Sequence, residues 1–204
     1  MVHKEVIKKI NKLRGEKLTE LGLSGMSTLS TANLKYLNTK KNNHSNLERF
    51  WEECYEGTKQ DKILDFGCGG GRYLFVGREL GYNVIGLDIN QKLFGDDIFE
   101  RLHEIYGIEK YITFYDGINI PFEENSFDVI LFCISITKDF IFSEKEGGLS
   151  HFKCLSRLEQ RIKNLIKISN HDAVWHIIPN KHIKEITPFF DKFNNKNLKI
   201  RGFK

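Results

Sequence analysis

The chain has 204 residues, 40% of them hydrophobic and 28% charged. That length fits one domain with an appendage, and that composition excludes disordered and fibrous classes. A net charge of +4 attracts polyanions when it is clustered, but here Lys4, Lys8, Lys9, Lys12, Arg14 and Lys17 at one end and Lys192, Lys196, Lys199, Arg201 and Lys204 at the other read more plainly as solubilising charge.

The longest apolar stretch, Val129 to Ile136, is far short of the ~20 residues that span a bilayer, so no membrane partner is expected. The start Met1-Val2-His3-Lys4-Glu5 lacks the apolar region of a secretory signal. Cys54, Cys68, Cys133 and Cys154 form no CxxC pair, which argues against a disulfide framework and against a zinc site. A cytoplasmic location with reduced thiols is the expectation.

In chain order, Val6, Ile10 and Leu13 recur at helical spacing, which predicts a helix over 4–22. Gly22, Gly25 and the Ser/Thr cluster through Thr31 end it. Leu47, Phe50, Trp51 and Tyr55 predict a second helix over 46–55. Residues 1–60 are therefore expected to form a helical N-terminal segment, a lid or a cap, ahead of a domain over 61–204.

From Lys62 short apolar runs alternate with amphipathic stretches, the pattern of βα units around a parallel sheet. Strands are expected at 63–66, 83–87, 111–115, 127–134 and 173–178, with a further one at 197–203. Helices are expected at 72–80, 97–106 and 155–168. A last helix over 182–193 is interrupted or started late by Pro188.

The most informative segment is Ile63-Leu64-Asp65-Phe66-Gly67-Cys68-Gly69-Gly70-Gly71. An apolar strand runs into a glycine-dense turn and a helix follows. Glycines there allow positive φ and close approach of a ligand, and a helix start offers unsatisfied N–H groups. Asp88 closes the next strand about 20 residues on, where an acidic residue accepts hydrogen bonds from ribose hydroxyls; capping of the next helix is the bland alternative.

At this point the sequence resembles the class I S-adenosylmethionine-dependent methyltransferases, of the small-molecule "methyltransferase domain 11" type. Asp65-x-Gly67-x-Gly69-x-Gly71 matches that family's first motif, Tyr115-Asp116-Gly117 falls where it often places an acid against the adenine, and Ile120-Pro121-Phe122 through Asn125-Ser126-Phe127-Asp128 resembles its lead into the fourth strand. The resemblance implies an α/β fold, a Rossmann-like three-layer sandwich with a mostly parallel sheet. It implies S-adenosylmethionine as cofactor.

Residue by residue, it implies that Gly67, Gly69 and Gly71 let the cofactor lie close to the chain, along the stretch that includes Phe66 and Cys68. Asp65 orders the loop and holds the methionine amino group. Asp88 binds the ribose, Ile89 packs on the adenine, and Asp116 with Gly117 meets its amino edge, a plain Asp-Gly turn being an equal reading for Asp116. Asp128 orders its own loop. Cys68 and Cys133 pack near the cofactor without redox chemistry.

The family usually continues after its fifth strand with a hairpin of two more. About 25 residues follow Ile178, so abbreviated C-terminal strands are expected. Ser169-Asn170-His171-Asp172 also replaces the frequent Pro-Gly-Gly before the fifth strand. Two rivals stay open: a nicotinamide-dependent oxidoreductase, against which Arg72 stands where the third glycine of GxGxxG belongs, and a non-catalytic methyltransferase-like binding protein.

The implied reaction is methyl transfer to a nucleophile, for which positioning and exclusion of water do much of the work. A hydroxyl acceptor needs a general base. His151 is the first candidate, Asp139 and His176 follow, and a core role is the plainer reading of His176. Cys133-Ile134-Ser135-Ile136 stands where base-modifying relatives carry Asp/Asn-Pro-Pro-Tyr/Phe, so a small-molecule or sugar acceptor is favoured over nucleic acid. No metal is required, and the oligomeric state is not legible.

Overall fold

The computed structural model describes residues 50–51, 55–89, 98–133, 151–178 and 183–202. The expected helix over 4–22 lies outside them.

Six strands form one sheet: β1 (Lys62–Phe66), β2 (Asn83–Ile89), β3 (Ile112–Tyr115), β4 (Phe127–Cys133), β5 (Ser169–Ile178) and β6 (Lys199–Gly202). Four helices accompany them: α1 (Arg72–Glu79), α2 (Ile98–Tyr106), α3 (His151–Ile168) and α4 (Ile183–Phe193). Every expected strand and helix from Lys62 onward is present, with ends shifted by a few residues. Pro188 sits inside α4 without breaking it. It is the sixth of eleven residues, where its missing N–H removes one i→i−4 bond, and Thr187 Oγ1 donates to the Ile183 carbonyl at 2.8 Å beside it.

The strand order is β3-β2-β1-β4-β5-β6, and all five neighbouring pairs are parallel. After β5 the chain therefore makes one more parallel crossover through α4, not the hairpin usual in the resembled family. The order reverses between β1 and β4. Outside the carboxyl ends of strands at such a switch point lies the customary ligand crevice of open α/β sheets.

β5 begins at Ser169, four residues before expectation, because of a bulge. Phe127 pairs with Ser169 and Val129 with Val174, so Asn170–Asp172 are partly looped out. There Asn170 Nδ2 donates to Asp128 Oδ1 at 2.5 Å, and the Lys62 N–H donates to Asp128 Oδ2 at 2.8 Å. Asp128 thus ties β1, β4 and β5 together at their amino ends, the ordering role expected for it.

Two cores flank the sheet. One face places Ile63, Val84, Val129 and Leu131 against Leu74 and Val76 of α1 and Leu102 of α2. The other places Leu64, Phe66, Ile130, Phe132 and Trp175 against Leu158, Ile162 and Leu165 of α3 and Ile186 and Phe190 of α4. This is the expected three-layer arrangement.

Among the described residues no crossover helix covers β4 and β5 on the first face. Phe50, Trp51 and Tyr55 are all buried in that core. Phe50 meets the His176 ring edge-on at 5.6 Å, and Trp51 stacks on Tyr82 at 4.8 Å. The rest of the expected helical N-terminal segment, lid or cap, lies outside the described residues.

Among the described residues no helix is long and apolar enough to cross a membrane.

Candidate active site

The glycine turn sits on the carboxyl ends of β1 and β2. Gly67, Gly69 and Gly71 have φ of 69°, 52° and 74°, the left-handed region that glycine enters without steric penalty. The Gly67 and Cys68 N–H groups donate to the Leu87 carbonyl at 2.7 and 3.3 Å, and the Gly71 N–H donates to the Cys68 carbonyl at 2.9 Å. The Gly69 N–H donates to Asp88 Oδ2. At these four positions the turn spends its N–H groups on the protein itself, contrary to the expectation of a ready-made anion cradle.

The glycines differ in what surrounds them. A Cβ on Gly71 would lie 2.4 Å from Ile108 Cδ1, whereas a Cβ on Gly69 would find nothing nearer than Phe99 Cζ at 4.0 Å. Gly71 is thus demanded by packing of the chain, and Gly69 has room for a side chain among the described residues. Gly86, in the middle of β2, was not foreseen. Its missing Cβ makes room for Cys68 Sγ, which would be 2.8 Å away, and an isolated glycine in a strand is the only signal in the sequence for such a close approach.

Asp65 is 1% exposed, and neither of its carboxylate oxygens has a hydrogen-bond partner among the described residues. Burial and the neighbouring Asp88 charge push its pKa up to about 7, against the pull of the Leu74 backbone N–H and the Arg72 charge. Burial, with the Asp65 and Asp88 charges, also pushes the Cys68 thiol well up, so Cys68 stays protonated and serves as packing. Asp88 Oδ1 accepts the Ile89 N–H at 2.8 Å. Asp88 therefore braces the turn as well as ending β2.

His103 of α2 is a further member of the site. It is buried, with Nε2 2.7 Å from the Gly69 carbonyl, and burial lowers its pKa. Nothing in the sequence marks it, because it sits beside Leu102 on an ordinary amphipathic helix.

Ile89 and Gly117 lie against each other: Gly117 has φ 86°, and its absent Cβ would lie 3.2 Å from Ile89 Cγ2. Asp116 is exposed and folds back on its own loop. Its Oδ1 accepts the Ile118 and Asn119 N–H groups at 2.8 and 2.7 Å, and its Oδ2 accepts from Asn119 Nδ2 at 2.7 Å. These bonds lower its pKa and are those of a plain Asp-Gly turn. The Phe66 side chain packs in the opposite core, 5.7 Å from Phe132 and 6.2 Å from Tyr115, so only its backbone borders the crevice.

His151 begins α3; its side chain, that of Cys133, and all of Asp139 lie outside the described residues. His176 is buried in β5 beside Phe50 and Tyr55. Burial pushes its pKa down to about 4, and it is a neutral core residue. Among the described residues no cluster of His, Cys, Asp and Glu could hold a metal ion.

The comparisons with known proteins bear on this crevice. No match is found among curated proteins. Solved structures similar in fold include a TehB-like SAM-dependent methyltransferase from Corynebacterium glutamicum, with 18% identity, TM-score 0.48, covering 67% of this chain and 66% of that one. Others are the PH0226 protein from Pyrococcus horikoshii, with 21% identity, TM-score 0.47, covering 66% and 53%, and a SAM-dependent methyltransferase from Methanosarcina mazei, with 23% identity, TM-score 0.42, covering 65% and 59%. The chain thus spans between about half and two-thirds of the length of these proteins.

The family model described as "Methyltransferase domain" matches residues 64–138. That stretch includes Asp65, the glycine turn, Asp88, His103 and the Asp116 loop, and residues 64–138 are thus similar to the methyltransferase domain family.

Proposed function

We propose that the chain is a methyltransferase that binds S-adenosylmethionine between the Gly67–Gly71 turn and the ends of β2 and β3. The observation that carries this reading is the buried Asp65 carboxylate behind the turn, whose oxygens have no hydrogen-bond partner of good geometry among the described residues. A buried acid without a partner is costly unless a ligand completes it. The methionine end of this cofactor brings an ammonium group, which matches that carboxylate in charge and donor count. Gly69 gives room for the cofactor to approach the backbone, and Ile89 with Gly117 forms the apolar shelf for its adenine. Asp88, which holds the Gly69 and Ile89 N–H groups, is the residue we assign to the ribose hydroxyls, an acid at a strand end beside the glycine turn.

When bound, S-adenosylmethionine supplies a sulfonium methyl group and becomes S-adenosylhomocysteine. The residues of the chain bind, orient and keep water out; much of the acceleration in such a transfer comes from geometry. We assign the acceptor to small molecules or sugars, through a hydroxyl. The proposed base is His151, which opens the helix returning from the carboxyl end of β4 and so starts on the crevice side of the sheet.

A second reading, a nicotinamide-dependent oxidoreductase, is favoured by one observation, the strand order β3-β2-β1-β4-β5-β6, which is that of dinucleotide-binding domains. The electrostatics oppose it. A pyrophosphate needs free N–H groups at the turn, yet four of them are used internally, and Asp65 and Asp88 present negative charge there.

Calorimetry of the full chain with S-adenosylhomocysteine and with NAD separates the readings. Saturable binding of the first in the micromolar range, roughly −8 kcal/mol, is expected, with no heat from the second. The reverse pattern would establish the oxidoreductase.

A further inference from the structure

We propose that His103 is a positioning residue for the cofactor: through its hydrogen bond to the Gly69 carbonyl it holds the glycine turn in its cofactor-accepting shape. The inference rests on the cofactor reading above.

Among the described residues a Cβ on Gly69 would meet nothing closer than 4.0 Å, so its backbone position bears on how a ligand seats. Gly69 is followed by Gly70 and Gly71, and consecutive glycines have more conformations to choose from than any other sequence. Something outside the turn has to select one. The Gly69 N–H is held by Asp88 of β2, but that bond leaves the peptide plane between Gly69 and Gly70 free to rotate. The bond at 2.7 Å between His103 Nε2 and the Gly69 carbonyl fixes that plane. The two polar groups of one glycine are thus gripped by side chains from two different elements.

The grip is rigid because His103 itself cannot move. It is 2% exposed, and the next turn of chain locks over it, with the Ile108 N–H donating to the His103 carbonyl at 3.0 Å. Ile108 fills the space beside Gly71, and His103 Cδ2 would be 3.5 Å from a Cβ there. A carbonyl only accepts, so His103 carries its proton on Nε2; burial keeps the ring neutral in that form. His103 of α2 therefore touches the turn at both its open and its packed glycine, and loss of the Nε2 donor leaves Gly69 held through its N–H alone.

The test compares the wild type, His103→Phe and His103→Gln, all as full chains. Phenylalanine keeps the ring and loses the donor; glutamine loses the ring and offers an amide N–H at similar reach. Two quantities are measured: S-adenosylhomocysteine affinity by calorimetry, and the Gly70 amide resonance in the free protein after ¹⁵N-glycine labelling, because that amide shares its peptide with the Gly69 carbonyl.

Expected are an affinity loss of about tenfold in His103→Phe, the scale of one buried hydrogen bond, recovery to within about threefold in His103→Gln, and a Gly70 shift in the first variant only. Wild-type affinity in His103→Phe, or equal losses in both variants, would overturn the inference by reducing His103 to ring packing. Wild type that fails to bind S-adenosylhomocysteine sinks the cofactor reading and the positioning role with it, and a Gly70 shift in the Phe variant then marks the bond as purely structural.

Discussion

Ile108 occupies the space that a side chain at Gly71 would need: its Cδ1 would stand 2.4 Å from a Cβ there, whereas among the described residues a Cβ on Gly69, two residues earlier, would meet nothing closer than 4.0 Å. One motif thus holds two glycines for different reasons, one steric within the chain and one open to a ligand.

The two should part company on substitution. Gly71→Ala combines overpacking with left-handed backbone strain and should destabilise the chain by roughly 2–4 kcal/mol. Gly69→Ala carries the strain alone, about 1–2 kcal/mol, but should weaken S-adenosylhomocysteine binding at least about tenfold. Urea unfolding and calorimetry read the two effects. A Gly69→Ala protein that binds normally would move the cofactor away from this glycine.

Asp65 makes cofactor binding depend on pH. Its pKa stands at about 7 in the folded chain, against about 3.9 unfolded. Between those values the folded state holds the extra proton, so Asp65 makes the free protein less stable as pH rises through that window. An ammonium placed beside the carboxylate lowers its pKa. Binding near pH 6 should therefore release close to one proton, and affinity should climb as pH rises toward 7 and level off above it. Calorimetry in buffers of different ionisation enthalpy measures the released proton. Asp65→Asn should abolish the release, weaken binding, and make the free protein more stable at pH 8; unchanged proton release in that variant would show that another group is responsible.

Gly77 lies in the middle of α1, where alanine is intrinsically preferred by about 1 kcal/mol. Here the preference should lose. A Cβ on Gly77 would be 2.5 Å from Trp51 Cζ2 and 2.8 Å from Val84 Cγ2, and overpacking of a filled core costs about 1–3 kcal/mol. Gly77→Ala should lower the melting temperature and alter the emission of Trp51, which stacks on Tyr82. A more stable variant would mean that the aromatic cluster is loosely seated.

Lys196 clamps the end of α3. Its ammonium donates to Asn125 Oδ1 and the Ile166 carbonyl at 2.8 Å, to the Lys167 carbonyl at 3.1 Å and to the Ser169 carbonyl at 2.5 Å. Helix carbonyls at a C-terminus lack internal partners and carry the negative end of the dipole. Lys196→Met keeps the stem and removes the donors, and should destabilise by about 1–3 kcal/mol with cofactor affinity unchanged. Thermal unfolding with parallel calorimetry checks both halves of that expectation.

The elements and the cofactor crevice were legible because each is written in contiguous residues. Strand β1 with its glycine turn, Asp88 at the end of β2, and the stripe of Leu158, Ile162 and Leu165 along α3 announce themselves by local periodicity, which needs no knowledge of the fold. The bulge at Asn170–Asp172 was not legible, since it depends on how β5 meets Phe127 and Asp128 across the sheet.

Sequence alone thus pointed to an α/β chain with a glycine turn and strand-end acids resembling those of methyltransferases. The folded chain decided the all-parallel strand order, the burial of Phe50, Trp51 and Tyr55, the bonding of Asp116 within its own turn, and the grip of His103 on Gly69. The reason is distance along the chain. A hydrogen bond between residues 34 positions apart, like the choice of which glycine a neighbour fills, exists only once separate elements are packed together, and no local pattern encodes which of many possible partners will arrive.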